Sequence, residues 1–206
     1  MALARRMVLA LGILGPALFL AADFHGAAIT QGYSQIRDPV PVLTQRGAVQ
    51  AAALNVMYIA AAALQLAFGA AVSAAFAGRD LRLVLAGRYI MAYAAMGAAI
   101  AAFFAMDPMG SAATWPGRLH LALVTLLALA LILAILMARR TTLPAWFGGF
   151  SSVALAVMFA GAGLAGIAGM AGLPILGLAE RMTQWTYLLW LVVLAVLCIA
   201  DDMRRG

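Results

Sequence analysis

Six apolar runs, each long enough to cross a bilayer, dominate this chain and limit what it can fold into. A spanning helix needs about 20 mostly apolar residues. The runs are roughly Met7–Phe24, Ala48–Ala77, Leu83–Ala105, Leu119–Ala138, Phe147–Ala171 and Met182–Ala200. The second is longer than one straight span requires, so it is expected to tilt or to continue beyond the bilayer. Lipid offers backbone N–H and C=O groups no partners, so runs of this length must satisfy themselves as helices. The expected fold is all-α: a single transmembrane domain over residues 1–206, built as a six-helix bundle.

Composition excludes the other classes. The chain is 67% hydrophobic and 10% charged, whereas soluble domains are about half apolar and about a quarter charged. A disordered chain would be rich in charge and poor in apolar residues. The net charge of +6 comes from arginine alone, for there is no lysine. Those arginines stand singly or in pairs at run ends rather than in a patch, which points away from nucleic acid. Their stems can lie in lipid while their heads reach the interface. The one cysteine, Cys198, lies inside the last run; it is expected to pack as a small apolar residue, and it can form no intrachain disulfide.

Arginine placement sets the expected orientation. Arg5, Arg6, Arg79, Arg82, Arg88, Arg139, Arg140, Arg204 and Arg205 fall on one side if six helices alternate, leaving Arg37, Arg46, Arg118 and Arg181 on the other. Both termini are therefore expected in the cytoplasm, and the protein in the cytoplasmic membrane of a bacterium. The first run also resembles a signal peptide, with Arg5 and Arg6 ahead of an apolar stretch and small residues after it. It is read as a retained first helix.

The segment YSQIRDPVPVLTQRG, Tyr33 to Gly47, then becomes the first outer loop. The loop that holds it, from His25 to Arg46, is long for a connection in a compact domain, and such loops are commonly functional or disordered. Its Ile29, Tyr33, Ile36, Val40, Val42 and Leu43 argue for order, and Pro39 and Pro41 favour extended backbone. The loop is expected to fold over the outer mouth of the bundle. Capping helix ends and covering a pocket both remain open as its role.

Polar residues converge on that mouth. Asp23 and His25 end the first run, Tyr33, Arg37 and Asp38 come from the loop, and Asp107 follows the third run. Arg118 and His120 open the fourth run, and Glu180 and Arg181 the last. A structural reading makes these ion pairs that tie loops together. A functional reading makes them an outward site, with arginines for an anionic headgroup and a carboxylate or imidazole for proton transfer. His25 and His120 could face each other across a haem, but two histidines do not establish one, so the cofactor stays unassigned. A three-histidine zinc site is impossible, and no metal site is assigned. His120 is read as a hydrogen-bonded network member.

Two interior features matter as well. Asn55, Tyr58 and Gln65 share one helix face in the second run. They are expected to point inward, either making interhelical hydrogen bonds or lining a cavity. Tyr89 and Tyr93 form a similar i, i+4 pair in the third run, and Arg88 beside them is expected to snorkel to the interface. The fifth run carries Gly161, Gly163, Gly166, Gly169 and Gly172, with Gly161, Ala165 and Gly169 in a small-xxx-small line. Such lines allow close helix approach, expected inside this bundle, with a homodimer face as the alternative. Trp115, Trp146 and Trp185 suit an interfacial belt, while Trp190 is deep enough to pack. No P-loop, GxGxxG, HExxH or GxSxG motif is present.

The motifs GPALFLAADF, Tyr33 with IRDPVPVL, LNVMYIAAAALQL, FFAMDPMG, GRLHLALV and LAERMTQWTYLLW, in this order, span nearly the whole chain. Together they resemble the six-helix bacterial membrane family catalogued as domain of unknown function 998. The resemblance draws attention to Tyr33, Asp38, Asp107, His120 and Arg181. Met106 stands where such sequences often have a cysteine, which argues against redox chemistry. The resemblance carries over no activity. A distant similarity to eukaryotic proteins of GPI-anchor lipid remodelling leans toward lipids.

Three function classes follow. The first is a non-enzymatic module that binds a lipid or other hydrophobic ligand, or serves as a subunit of a membrane complex. The second is an enzyme acting on a lipid headgroup, with Asp107 and His120 in acid–base roles and Arg37 and Arg181 on phosphate. The third is a small-solute transporter whose path runs along Asn55, Tyr58 and Gln65. The first is the reading preferred from sequence.

Overall fold

The computed structural model describes residues 2–205. They form six helices long and apolar enough to cross a membrane: α1 Leu3–Ile29, α2 Ala51–Ala75, α3 Leu81–Phe103, α4 Trp115–Ala138, α5 Ala145–Ala171 and α6 Leu176–Arg205. No strand occurs among the described residues. The expected six-run plan therefore holds, with shifted bounds. α1 starts earlier and ends later than its apolar run, is interrupted by a turn at Ala10 and carries Pro16 in its interior. α2 is shorter than its run, because Ala48 to Gln50 form a turn and the helix closes at Phe76. α6 is the largest correction. It begins six residues before Met182, so Glu180 and Arg181, expected at its very start, lie within its first turns.

Local chemistry explains several ends. Asp80 caps α3, accepting from the backbone N–H groups of Arg82 and Leu83 at 3.0 and 3.3 Å. Its other oxygen accepts from the Thr142 N–H at 2.8 Å, tying the α2–α3 turn to the α4–α5 linker. Thr114 caps α4, with Pro116 in the first turn where its missing N–H costs nothing. Gly172 ends α5 in the left-handed region at φ 64°.

The helices pack chiefly in the order α5, α6, α1, α2, α3, α4. In lipid this packing rests on close van der Waals fit rather than on water exclusion. α2 and α3 cross where Gly69 meets Gly87. A Cβ on Gly69 would stand 2.6 Å from the Gly87 carbonyl oxygen, so the crossing requires the missing side chain. α6 supplies the largest buried side chains, Trp190, Arg181 and Tyr187. Trp190 stacks on Phe147 of α5 at 6.0 Å and donates to the Ser151 hydroxyl at 3.0 Å. Tyr93 of α3 packs on Tyr187 at 4.5 Å between ring centroids. Tyr89 is half-buried beside this core, and Arg88 is exposed. Cys198 is buried in the core.

The glycine ladder divides. Gly161 packs tightly against Thr183 and the Ala179 carbonyl of α6, while Gly163, Gly166 and Gly169 have nothing within 4 Å of where a Cβ would stand. The expectation of tight internal packing thus holds for Gly161 and is corrected for those three. The tryptophans also divide: Trp115 and Trp146 are exposed, Trp185 is half-buried and Trp190 is fully buried.

The start of α1 and the end of α6 lie at one end of the bundle, where Arg5 and Arg6 pair with Asp202, the latter at 2.8 Å. The 30–50 segment closes the opposite, loop end. Pro39 is extended as expected, but Val40–Thr44 forms a 3-10 helix. That corrects the extended reading: Pro41 fixes a φ that a tight helix also accepts. Leu43 is fully buried and closes on Gly26 together with Leu54.

Candidate functional site

The polar residues of the loop end form two clusters instead of one. The first is built on Arg181, only 1% exposed. Its Nε and Nη2 donate to the two oxygens of Asp23 at 3.1 and 2.6 Å, a bidentate fork between α6 and α1. Nη2 also donates to the Tyr33 hydroxyl at 2.6 Å. Nη1 donates to the carbonyls of Gln35, Asp38 and Gly177 at 2.9, 3.0 and 3.3 Å. A guanidinium has five N–H donors, and each has an acceptor here.

The surrounding groups complete this arrangement. The Tyr33 hydroxyl donates to the Pro39 carbonyl at 3.2 Å. Half-buried Glu180 accepts from the Val40 N–H at 3.1 Å. The first N–H groups of α6 are satisfied by the loop, Gly177 by the Arg37 carbonyl at 3.2 Å and Leu178 by the Ile36 carbonyl at 2.9 Å. The loop thus supplies acceptors to a helix start that would otherwise carry orphan donors. Gly177 is needed for this approach, because a Cβ there would collide with the Asp38 carbonyl. Burial pushes the Tyr33 phenol up to about 12, with Arg181 opposing the rise.

Arg37 and Asp38 sit at the exposed margin. Arg37 donates from Nε and Nη2 to Asp38, both at 2.8 Å, and from Nη2 to the Gly32 carbonyl at 2.6 Å. The Arg37 guanidinium holds the Asp38 carboxyl below its ordinary value, assisted by the Ser34 N–H at 2.8 Å.

The second cluster is built on Asp107. It accepts from the Thr114 N–H at 2.7 Å, the Thr114 hydroxyl at 2.8 Å and Arg46 Nη2 at 2.6 Å. The Thr114 N–H is the main reason its carboxyl is held below the ordinary range. A Cβ on Gly117 would collide with this carboxylate, so α4 can start only with glycine in that position. The Arg46 N–H donates to the Met106 carbonyl at 2.9 Å, joining the loop to the α3–α4 connection. His120 is buried nearby, and its Nδ1 donates to the Phe104 carbonyl at 2.8 Å. Its expected place in a hydrogen-bonded network is seen as this one backbone contact.

His25 and Arg118 are exposed on α1 and α4. No hydrogen bond or ion pair among the described residues joins the Arg181 cluster to Asp107 or His120. Arg46 and Thr114 belong to the site although sequence reading assigned them no role. Thr114 had a visible signal, a hydroxyl residue directly before Trp-Pro at a helix start. Arg46 had none, because its partner is 61 positions away.

In the interior, Asn55, Tyr58 and Gln65 do share a face of α2. Gln65 lies under Gly15 of α1, and Tyr58 packs on Phe19 at 4.9 Å. The expected interhelical hydrogen bonds are not made: Asn55 Oδ1, the Tyr58 hydroxyl and Gln65 Oε1 are buried without a partner. Among the described residues no group of three or more His, Cys, Asp and Glu could hold a metal ion.

A family model described as Protein of unknown function (DUF998) matches residues 13–197, and the chain belongs to that family. No curated protein and no solved structure matches the chain.

Proposed function

We propose that this multi-pass member of the family is a non-catalytic membrane module. It binds a lipid or other hydrophobic ligand, or docks as a subunit of a membrane protein complex, through its lateral surface. Its polar loop end serves as a structural cap. The observation that carries this reading is the saturation of Arg181, whose donors are all engaged by the chain's own acceptors. A buried, fully bonded guanidinium holds structure together and has no free donor for a phosphate. The headgroup-enzyme alternative needs Arg37 and Arg181 beside Asp107 and His120, yet each is bonded within its own neighbourhood. Arginine asymmetry supports both ends facing the cytoplasm of a bacterium and the loop end facing outward. The open face of Gly163, Gly166 and Gly169 is where a homodimer or another membrane protein would approach.

A polar path through the membrane is the second reading. It is favoured by the partnerless atoms of Asn55, Tyr58 and Gln65, because buried polar atoms are normally bonded to protein or water. The deciding experiment is native mass spectrometry of protein extracted in a mild detergent, with retained molecules identified. The reading expects a stoichiometric hydrophobic molecule or protein partner. Retention of neither would overturn it.

A further inference from the structure

The terminal end carries a feature of a different kind. A cavity of about 440 Å³ opens between α1 and α2, lined by Arg5, Val8, Ala71, Ala74 and Ala75. Four of its five walls are small or branched apolar side chains, and Arg5 stands at its rim with half its side chain exposed. Arg79 lies in the turn just beyond the end of α2, its Nη1 donating to the Ala75 carbonyl at 2.9 Å.

The charges here do not balance. Arg5 and Arg6 share Asp202, and Arg79 and Arg205 share Asp201. Four guanidiniums against two carboxylates leave two positive charges in excess at this end of the bundle, and Arg5 is the one that lines the groove. The Arg181 cluster differs, because there a single guanidinium is enclosed by its own acceptors. Arg5 and Arg79 are a half and a third exposed, so each keeps donors within reach of another anion. Basic pockets between transmembrane helices near a membrane surface suit anionic lipid headgroups. Methyl-lined walls suit a hydrocarbon chain by van der Waals fit.

We propose that this groove binds one anionic diacyl phospholipid, with an acyl chain along Val8, Ala71, Ala74 and Ala75 and the phosphate on Arg5 and Arg79. The proposal rests on the lipid-binding branch of the reading above and names its site and ligand class.

The test uses the full chain, purified in mild detergent and stripped of lipid. It is titrated with dioleoyl phosphatidylglycerol or dioleoyl phosphatidylcholine and followed by native mass spectrometry. One phosphatidylglycerol is expected to bind in preference to phosphatidylcholine. Arg5→Gln should weaken phosphatidylglycerol about fivefold, the attraction of one arginine to an anionic surface, and bring the two lipids closer. Ala74→Phe fills the groove and should remove both lipids. Arg139→Gln, which takes the same charge from α4, should change nothing. Excess glycerol phosphate should not displace the lipid, because it has no acyl chain.

Equal binding of the two lipids, undiminished binding in Ala74→Phe, or displacement by glycerol phosphate would each overturn the site. If Ala74→Phe fails to fold, Arg5→Gln and the glycerol phosphate competition decide the matter. The broader reading fails separately, when the freshly extracted protein retains neither a hydrophobic molecule nor a partner.

Discussion

Arg181 and Asp23 face each other as a bidentate pair between α6 and α1, at 2.6 Å and with neither side chain more than 1% exposed. They lie 158 positions apart in sequence. A buried pair of this kind is costly to break, because removing one partner leaves the other charge without compensation. Arg181→Ala and Asp23→Ala are each expected to lose about 3–5 kcal/mol of stability. Arg181→Lys should restore little, since an ammonium lacks the planar fork that reaches Asp23, Tyr33 and three carbonyls together. Thermal unfolding in detergent measures this. A folded Arg181→Ala protein of normal stability that loses a ligand would make Arg181 a binding residue instead.

Tyr33 gives the pair a pH signature. Its phenol is pushed up to about 12 in the fold by burial, against about 10 in an unfolded chain. A group whose folded value is raised contributes stability that is complete below the unfolded value and is lost as pH rises through the folded one. The loop end should therefore loosen between about pH 10 and pH 12. Tyr33→Phe should remove that alkaline transition and lower stability at neutral pH, through the lost bond to Arg181, by about 1.5–3 kcal/mol. Phenolate absorbance together with thermal unfolding across this range reads both effects.

The six spans were legible because lipid imposes one rule, about 20 apolar residues per helix, that composition displays directly. The start of α6 was not legible. Glu180 and Arg181 interrupt the apolar run and read as its boundary, whereas in the fold Asp23 and the loop carbonyls allow Arg181 to sit inside the helix. Neither the Arg181–Asp23 nor the Arg46–Asp107 pair leaves a local trace, because each partner lies far along the chain. The convergence of polar residues at one end was readable from helix alternation. Their division into two clusters depends on side-chain reach, which spacing does not carry.

Orientation is open to direct labelling. Cys198 is buried in the core, so a Cys198→Ala background leaves the chain without thiols. Single cysteines replacing Ile36, exposed in the loop, and Arg204, exposed at the end of α6, then report the two faces. In intact cells an impermeant maleimide is expected to label Ile36→Cys and spare Arg204→Cys. The reverse pattern would invert the assignment drawn from arginine counts.

The divided glycine ladder separates folding from association. A Cβ on Gly161 would stand 2.7 Å from the Thr183 hydroxyl and 2.9 Å from the Ala179 carbonyl. Gly161→Leu should therefore cost about 1–3 kcal/mol through overpacking. Gly166 has open space where its Cβ would stand, so Gly166→Leu should leave the unfolding temperature unchanged. If the protein self-associates across this face, Gly166→Leu is the substitution that splits the dimer. Size measurement in detergent alongside thermal unfolding distinguishes the two effects.

Gln65 tests the interior seam. It is 2% exposed, and its Oε1 has no partner within the bundle. An unsatisfied buried amide costs stability, and an apolar replacement of similar shape removes that cost. If the seam is only structural, Gln65→Met should leave the unfolding temperature unchanged or raise it. Asn55→Leu and Tyr58→Phe should behave alike, since each removes a partnerless atom. A polar path predicts a different combination, in which the same three variants stay stable while solute flux into proteoliposomes falls. Stable variants with unaltered flux would leave the seam as an internal packing surface of α2 against α1, and the second reading would be withdrawn.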